Sequence, residues 1–270
     1  MRQSNTYIIV FSAVLTIILG GLLSLASVGL GPQQREQMDR DNKRRILAAV
    51  MELQPTDDVL GIYENRIQSL VVDVDGNVVG DEVTDDMFIA EQINISKEFR
   101  KPPQERVFPV FKFMSEQNPD QVEAYIVPMN GNGLWNEISG FVSLETDLQS
   151  IKGVVFDHVG ETPGLGARIT EGSVQNRYIG KRITDDVGEI VSVQMVKRET
   201  GDPSIYDDYQ VDGLSGATMT ANGVNDMLKN YFTYYQAYFQ KVQTEGQDAG
   251  EENINQETGG DEFSTDPESN

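Results

Sequence analysis

Asp212-Gly213-Leu214-Ser215-Gly216-Ala217-Thr218-Met219-Thr220 is a turn of small residues that ends in hydroxyl groups and leads directly into a helical pattern. Glycine and other small residues let backbone N–H groups come close to an anion, and the N-terminus of the following helix adds partial positive charge. The turn therefore predicts a binding site for a phosphate group. Serine and threonine are also common helix caps, so the simpler alternative is that Ser215 or Thr220 only closes the first turn of the helix.

The segment after this turn has the strongest helical pattern in the chain outside the N-terminal region. Between residues 220 and 243, apolar side chains recur at i, i+3, i+4 and i+7. They are Val224, Met227, Leu228, Tyr231, Tyr235, Tyr238 and Phe239. This spacing predicts a long helix with one buried face, and the periodicity favours core packing over ligand binding for its aromatic residues.

Strand-like segments make up much of the chain before the turn. Residues 69–74 and 77–79 flank Asp75-Gly76, which is typical of a hairpin with a two-residue turn. Further segments of this kind occur at 106–113, 123–127, 138–144, 151–158 and 187–197. With the long helix, they predict an α+β fold in which residues 69–243 form one domain, a mainly antiparallel sheet flanked by helices.

The N-terminal region contains an apolar segment long enough to cross a membrane. Residues 7–30 carry no charged side chain, and at about 1.5 Å per residue such a helix spans a hydrocarbon core of roughly 30 Å. A cleaved signal peptide is the alternative, because Ser24-Leu25-Ala26 resembles a cleavage site, but the apolar segment is longer than the usual signal core. We predict a short segment at residues 1–6, a transmembrane helix at 7–30 and, after a break at Gly31-Pro32, a juxtamembrane helical segment at 33–68.

Charge and cysteine content exclude several classes of function. The 270-residue chain has a formal net charge of -22 and shows no basic stripe, which argues against binding to nucleic acid. It contains no cysteine, so disulfides and thiolate-bound iron–sulfur clusters are excluded, and redox chemistry would require a bound organic cofactor. Residues 244–270 are polar and acidic, without Lys or Arg, and are predicted to form a disordered tail.

Two further motifs precede the turn, and together the three resemble those of FMN-binding domains. Gly133-Leu134-Trp135 and Glu161-Thr162-Pro163-Gly164-Leu165-Gly166 occur in the order in which those domains carry them. In that family Asp-Gly-x-Ser-Gly-Ala-Thr is the site where FMN is esterified through its phosphate, so the resemblance implies a covalent FMN on Thr218. It also implies cofactor-binding roles for Asp212, Gly213, Ser215, Gly216, Ala217, Trp135, Glu161, Thr162, Gly164, Leu165 and Gly166. The family has glycine after the tryptophan, whereas this chain has Asn136.

Several of these residues also have simpler interpretations. By itself Pro163-Gly164 is typical of a type II turn, and Trp135, the only tryptophan, would be expected in a core or an interface. Lys197 is either a positive charge near the cofactor or a solvated surface lysine. His158, the only histidine, is predicted to be structural. We expect no catalytic residue and no resident metal ion.

Among FMN-binding domains, the chain resembles the C subunits of sodium-translocating NADH:quinone reductases. The resemblance implies a flavoprotein subunit anchored in the bacterial inner membrane, with its soluble domain in the periplasm. It would relay electrons inside the complex during NADH oxidation, reduction of ubiquinone or another quinone, and sodium ion pumping. The chain would then be a subunit of an oxidoreductase and translocase, with the other subunits and the lipid bilayer as partners. A flavin transferase that uses FAD and Mg²⁺ would attach the FMN, and Asp212 would help to hold the metal-bound phosphate.

Other readings of the same motifs remain open. The chain also resembles the G subunits of Rnf-type complexes, and it would alternatively be an FMN-binding module without redox partners or a flavin-free adaptor. It lacks Gly-x-Gly-x-x-Gly after a strand, so we expect NADH to be oxidised on another subunit. The charge bias conflicts with a periplasmic domain, since only Arg2 precedes the apolar segment. The basic residues after it are Arg35, Arg40, Lys43, Arg44 and Arg45.

Overall fold

The computed structural model describes residues 4–81 and 89–258. Two units are distinguished along the chain, one up to Arg45 and one from Ile46 onward. The five α-helices of the described residues are α1 (Asn5–Ala48), α2 (Val59–Arg66), α3 (Ile95–Phe99), α4 (Gly172–Gln175) and α5 (Thr218–Thr258). The strands are β1 (Ile67–Asp73), β2 (Val78–Asp81), β3 (Val107–Met114), β4 (Val122–Asn132), β5 (Glu137–Leu144), β6 (Ile151–His158), β7 (Gln194–Met195) and β8 (Gln210–Val211).

The N-terminal helix α1 contains the apolar segment. Its most apolar window has a mean hydropathy of 2.6, and it is the one helix of the described residues that is long and apolar enough to cross a membrane. The predicted break at Gly31-Pro32 is wrong, because α1 continues through Pro32 to Ala48. Proline removes only one N–H from the helical ladder, so the turns on either side keep their own hydrogen bonds.

The second unit is built on a six-stranded sheet with the order β2-β1-β3-β4-β5-β6. Every pair of neighbouring strands is antiparallel, which confirms the predicted α+β class and the hairpin between β1 and β2. The predicted two-residue turn is wrong, because residues 74–77 connect the two strands. Gly76 lies in that hairpin with φ +73°, a conformation that glycine adopts without strain. The predicted strand at 187–197 is largely wrong, since this segment contains only the two-residue strand Gln194–Met195, parallel to Gln210–Val211, and an isolated antiparallel bridge from Ile190 to Thr184. A turn at Gly188 and a positive φ at Ser192 interrupt the rest.

Side chains of successive strand residues point to opposite faces of the sheet, and each face is covered by a buried cluster. On one face, Val72 and Val110 lie in the same buried cluster as the apolar stripe of α5. On the other, Val71 and Phe111 share a cluster with Ile46 and its neighbours. Fully burying such a side chain stabilises the fold by about 1.5–3 kcal/mol. The unit therefore begins at Ile46, earlier than the predicted domain start at residue 69.

The helix α5 crosses the sheet near the end of β4 and places its first turn beside the loop that follows this strand. A Cβ at Gly131 would come within 2.8 Å of Met227, and a Cβ at Gly223 would collide with the carbonyl oxygen of Asn132. These close approaches fix where Thr218, at the start of α5, lies relative to the β4–β5 loop. At its other end α5 extends to Thr258 rather than ending near residue 243, and the rest of the predicted tail lies outside the described residues.

Candidate functional site

The turn before α5 has two buried apolar residues and two hydroxyl-bearing residues that solvent can reach. Leu214 and Ala217 are buried, whereas Ser215 is exposed and Thr218 is half-buried. The N–H of Ala217 donates to the carbonyl oxygen of Leu214 at 3.1 Å, and Gly216 adopts φ +76° between them. Thr218 is the first residue of α5, so the amide groups around it belong to the first helical turn and have no acceptor within the helix.

Gly213 is required by the close packing of the turn against the preceding segment. A Cβ at this position would collide with the carbonyl oxygen of Val196 and the backbone of Arg198. The N–H of Gly213 donates to the Arg198 carbonyl oxygen at 3.2 Å. The backbone of residues 196–198 therefore packs directly against the turn at Gly213.

Glu161 is the residue that joins the three sequence motifs. Its buried carboxylate accepts a hydrogen bond from the backbone N–H of Trp135 at 3.0 Å and one from the hydroxyl of Thr220 at 2.5 Å. Burial raises the pKa of Glu161, but the hydrogen bonds from Thr220 and from the backbone of residues 134–136 outweigh it and hold the pKa below its usual value. The carboxylate is thus charged at neutral pH and ties the β4–β5 loop to the first turn of α5.

Two glycines make room for this carboxylate. A Cβ at Gly133 would overlap Oε1 of Glu161, and a Cβ at Gly166 would overlap Oε2 and the hydroxyl of Thr220. Glycine at both positions is therefore a packing requirement of the Glu161 side chain.

The side chain of Trp135 lies at the surface and contacts the second motif. It is 69% exposed, and its indole N–H donates to the hydroxyl of Thr162 at 3.1 Å. Leu165 is exposed and lies over the turn, since a Cβ at Gly216 would come within 2.9 Å of its Cδ2. Leu134 and Met219 are exposed as well. The structure therefore joins the three motifs through these contacts, and each motif exposes an apolar side chain.

The carboxylate of Asp212 is directed into the loop that precedes it. Its oxygens accept hydrogen bonds from the N–H of Thr200 at 2.8 Å, the N–H of Gly201 at 2.7 Å and the hydroxyl of Tyr206 at 2.8 Å. Burial raises the pKa of Asp212, yet these bonds prevail and the pKa lies below its usual value. The Asp212 side chain therefore connects the turn to the loop at residues 200–206.

Sequence reasoning missed an ion-pair network that holds the same turn. Glu199 accepts two hydrogen bonds from Arg168, at 2.9 and 2.8 Å, and one from Arg177 at 3.1 Å. It also accepts the N–H of Ser215 at 3.0 Å. Arg177 donates in addition to the carbonyl oxygens of Asp212 and Gly213, at 3.1 and 2.7 Å. Glu199 and the two arginines belong to none of the motifs, and no signal in the sequence singles them out.

Three further residues considered in the sequence are Gly164, Lys197 and His158. Gly164 has φ +75°, which suits the predicted turn at Pro163-Gly164. Lys197 is exposed and, among the described residues, its amine has no hydrogen-bond partner. Nδ1 of His158 accepts the N–H of Glu161 at 3.3 Å, in keeping with a structural role.

The fold and this surface define the class of protein. The family model for the FMN-binding domain matches residues 133–233, which begin at the first of the three motifs and include the other two. The residues suit a flavin, because an exposed indole and leucine side chains adjoin a glycine-rich turn at a helix N-terminus.

Comparison with individual proteins narrows the class to one family. The chain is 32% identical over 230 residues to the C subunit of the Na(+)-translocating NADH-quinone reductase of Yersinia pestis, covering 81% of this chain and 84% of the relative. The corresponding protein of Pseudomonas aeruginosa is 27% identical, with 84% and 91% coverage. The crystal structure of the C subunit from Parabacteroides distasonis superposes with a TM-score of 0.65 at 30% identity, covering 78% of this chain and 96% of that one. Shewanella oneidensis NqrC gives 0.63 at 29% identity, with 77% and 99% coverage. The chain belongs to the NqrC family, the C subunits of Na(+)-translocating NADH-quinone reductases.

Proposed function

We propose that this chain carries FMN as a phosphoester on Thr218 and relays electrons between other subunits of a sodium-translocating NADH:quinone reductase. The single observation that carries the proposal is the position of Thr218. This residue begins α5, is half-buried, and lies two positions after Gly216, where an added Cβ would come within 2.9 Å of the exposed Leu165 side chain. Family membership supports the complex and the flavin, and this position supports the attachment residue.

The geometry favours Thr218 over the two other hydroxyls of the turn. Thr220 is buried, and its hydroxyl is engaged by Glu161. Ser215 is exposed but precedes the helix, and its backbone N–H already donates to Glu199. Thr218 alone of the three combines accessibility with the free amides and positive partial charge of the first helical turn, which stabilise a phosphate dianion or ester.

Attachment requires a second protein. A flavin transferase would use FAD with Mg²⁺, so that a bond forms between the Thr218 oxygen and the FMN phosphorus while AMP leaves and the hydroxyl proton passes to a base of the transferase. The protein then needs little non-covalent affinity for the flavin. When bound, FMN supplies the electron-accepting and electron-donating chemistry that this cysteine-free chain lacks.

The residues of this chain would position the flavin and shape its surroundings. Trp135 and Leu165 offer apolar surface to the ring system, and Thr162 fixes the orientation of the indole through its hydroxyl. Glu161 lies beneath this surface and holds the loops together, Gly166 leaves space for its carboxylate, and the exposed Gly164 would let the backbone pass close to the ligand. Asp212 would support the turn, and the exposed Lys197 would place a positive charge nearby.

The apolar helix would anchor the flavin domain to the inner membrane. We place α1 across the bilayer and the unit from Ile46 onward in the periplasm, where the carrier would face membrane-bound partner subunits. NADH oxidation, quinone reduction and sodium pumping would take place through those partners.

Mass spectrometry tests the assignment. The full chain is co-expressed with a flavin transferase, and the peptide containing Ser215 to Thr220 is analysed for one FMN phosphoester. We expect the adduct on Thr218, its loss in Thr218→Ala and its retention, at reduced yield, in Ser215→Ala. Acid-stable, protein-bound FMN in Thr218→Ala would contradict the proposal.

A further inference from the structure

The turn that should receive a phosphate already binds an anion, and that anion belongs to the protein. The carboxylate of Glu199 lies 3.0 Å from the N–H of Ser215, in the middle of the attachment motif. Two guanidinium groups, from Arg168 and Arg177, complete its surroundings. A backbone N–H and two arginines are the donors with which proteins commonly hold a phosphate group.

The network is partly buried, so its electrostatic interactions are screened less than those of surface ion pairs. The side chains of Glu199, Arg168 and Arg177 are 17%, 23% and 20% exposed, respectively. The hydrogen bonds from Arg168 and from Ser215 hold the pKa of Glu199 far below its usual range, so the carboxylate stays charged at any physiological pH. Glu171 competes only weakly with Glu199 for Arg168. Its side chain is 50% exposed, and Nε is the only atom of Arg168 that its carboxylate reaches, at 3.5 Å.

We propose that Glu199 is an internal stand-in for phosphate, which fills the anion-binding groups of the attachment turn and keeps them from binding free phosphate or free flavin nucleotides. The inference rests on the proposed function only in taking an FMN phosphate to be delivered to this turn. Glu199 has two consequences there. It keeps the turn formed before the flavin arrives, through Ser215 and Arg177, and it leaves the ester bond as the means by which FMN is retained.

The alternative is that Glu199 is only a structural ion pair, and a substitution separates the two. Glu199→Ala removes the carboxylate and leaves a space lined by Arg168, Arg177 and the Ser215 N–H. If the groups form an anion site, inorganic phosphate fills that space. If the ion pair is only structural, the variant loses stability and gains no affinity for phosphate.

The experiment uses the full chain in detergent, produced without a flavin transferase. Inorganic phosphate is titrated by calorimetry at constant ionic strength, and thermal unfolding is followed with phosphate or chloride. We expect Glu199→Ala to bind phosphate at least about tenfold more tightly than the unsubstituted chain, since two charge-assisted donors become free, and phosphate to raise its Tm. Glu171→Ala is the matched control and should gain no affinity. Equal, weak phosphate binding by Glu199→Ala and the unsubstituted chain would overturn the proposal.

A second pair of variants keeps the test decisive if Glu199→Ala folds poorly. Glu199→Gln keeps the shape of the side chain and removes its charge, so phosphate should stabilise it against heat more than it stabilises Glu199→Asp, which keeps the charge. If phosphate stabilises the two variants equally, the idea is wrong. Because these titrations need no covalent flavin, they stand or fall separately from the assignment of Thr218.

Discussion

Thr220 and Glu161, 59 positions apart in the chain, are joined by a buried hydrogen bond of 2.5 Å in which the hydroxyl donates to the carboxylate. The same carboxylate accepts the N–H of Trp135 at 3.0 Å. Thr218 lies two residues before Thr220 on the same helix. By contacting both segments, this carboxylate helps to set the distance between Thr218, the proposed attachment residue, and the exposed indole.

Removing the hydroxyl of Thr220 tests how strongly this bond holds the site. Thr220→Val leaves one oxygen of a buried, charged carboxylate without its donor, so we expect a loss of about 1–3 kcal/mol in the free energy of unfolding. Thermal and urea unfolding in detergent measure it. The matched control is Thr233→Val on the same helix, where the hydroxyl donates to the Lys229 carbonyl at an exposed site. Equal losses in the two variants would mean that the bond to Glu161 adds nothing.

The lowered pKa of Glu161 predicts a dependence of stability on pH. The unfolded chain binds a proton on this residue at a higher pH than the folded chain does, so stability rises with pH across this interval. The contribution is complete above the usual glutamate value of about 4.5 and is lost as the pH falls through the folded pKa. We expect Tm measured from pH 6 to pH 3 to fall less steeply in Glu161→Gln than in the unsubstituted chain. Parallel curves of Tm against pH would mean that Glu161 does not contribute to the loss of stability in acid.

The sequence predicts the fold well where a single periodicity decides the structure. Leu228, Tyr231 and Tyr235 recur at helical spacing, and α5 buries all three against the sheet. The prediction fails where local side-chain hydrogen bonds compete with a strand. Residues 187–197 predict a strand, but Val187 is 83% exposed in a turn in which the carboxylate of Asp185 accepts the N–H groups of Val187 and Glu189.

The residues of the site also divide into those that the sequence predicts and those that it does not. Small residues and hydroxyls mark the turn itself, because glycine and helix-capping chemistry are visible in a string of a few residues. Arg168 and Glu199 form their pair across 31 positions, and only the folded backbone brings them together. A charged residue in a strongly charged chain carries no signal of its partner.

Glycine substitutions test the space around Glu161. Gly133→Ala and Gly166→Ala each place a methyl group against its carboxylate, so the side chain or a loop must move. We expect each to lower the free energy of unfolding by about 1–3 kcal/mol and to reduce the yield of flavin attachment. Gly172→Ala is the control, because a Cβ there meets nothing within 4 Å. If Gly166→Ala is as stable as Gly172→Ala, the packing described around Glu161 is incorrect.

The single tryptophan gives a direct optical test of the flavin site. Trp135 is 69% exposed, so before flavin attachment its fluorescence should have the long-wavelength emission of a solvated indole and be readily quenched by iodide. We expect attachment of FMN to quench most of this emission through the adjacent ring, and to protect what remains from iodide. Thr162→Val removes the bond to the indole N–H and should weaken the quenching. Emission that is unchanged by flavin attachment would place the ring away from Trp135.

The orientation of the membrane helix is testable because the chain contains no cysteine, so one introduced thiol reports one position. Val187→Cys places it on an exposed loop of the flavin unit, and Asn5→Cys places it at the start of α1. The basic residues that follow the apolar segment favour a cytoplasmic flavin unit when counted alone, but long translocated domains often override this bias. We expect a membrane-impermeant maleimide to label Val187→Cys and to leave Asn5→Cys unlabelled in spheroplasts, whereas both should react after lysis. Labelling of Asn5→Cys alone would place the flavin unit in the cytoplasm and refute the proposed periplasmic location.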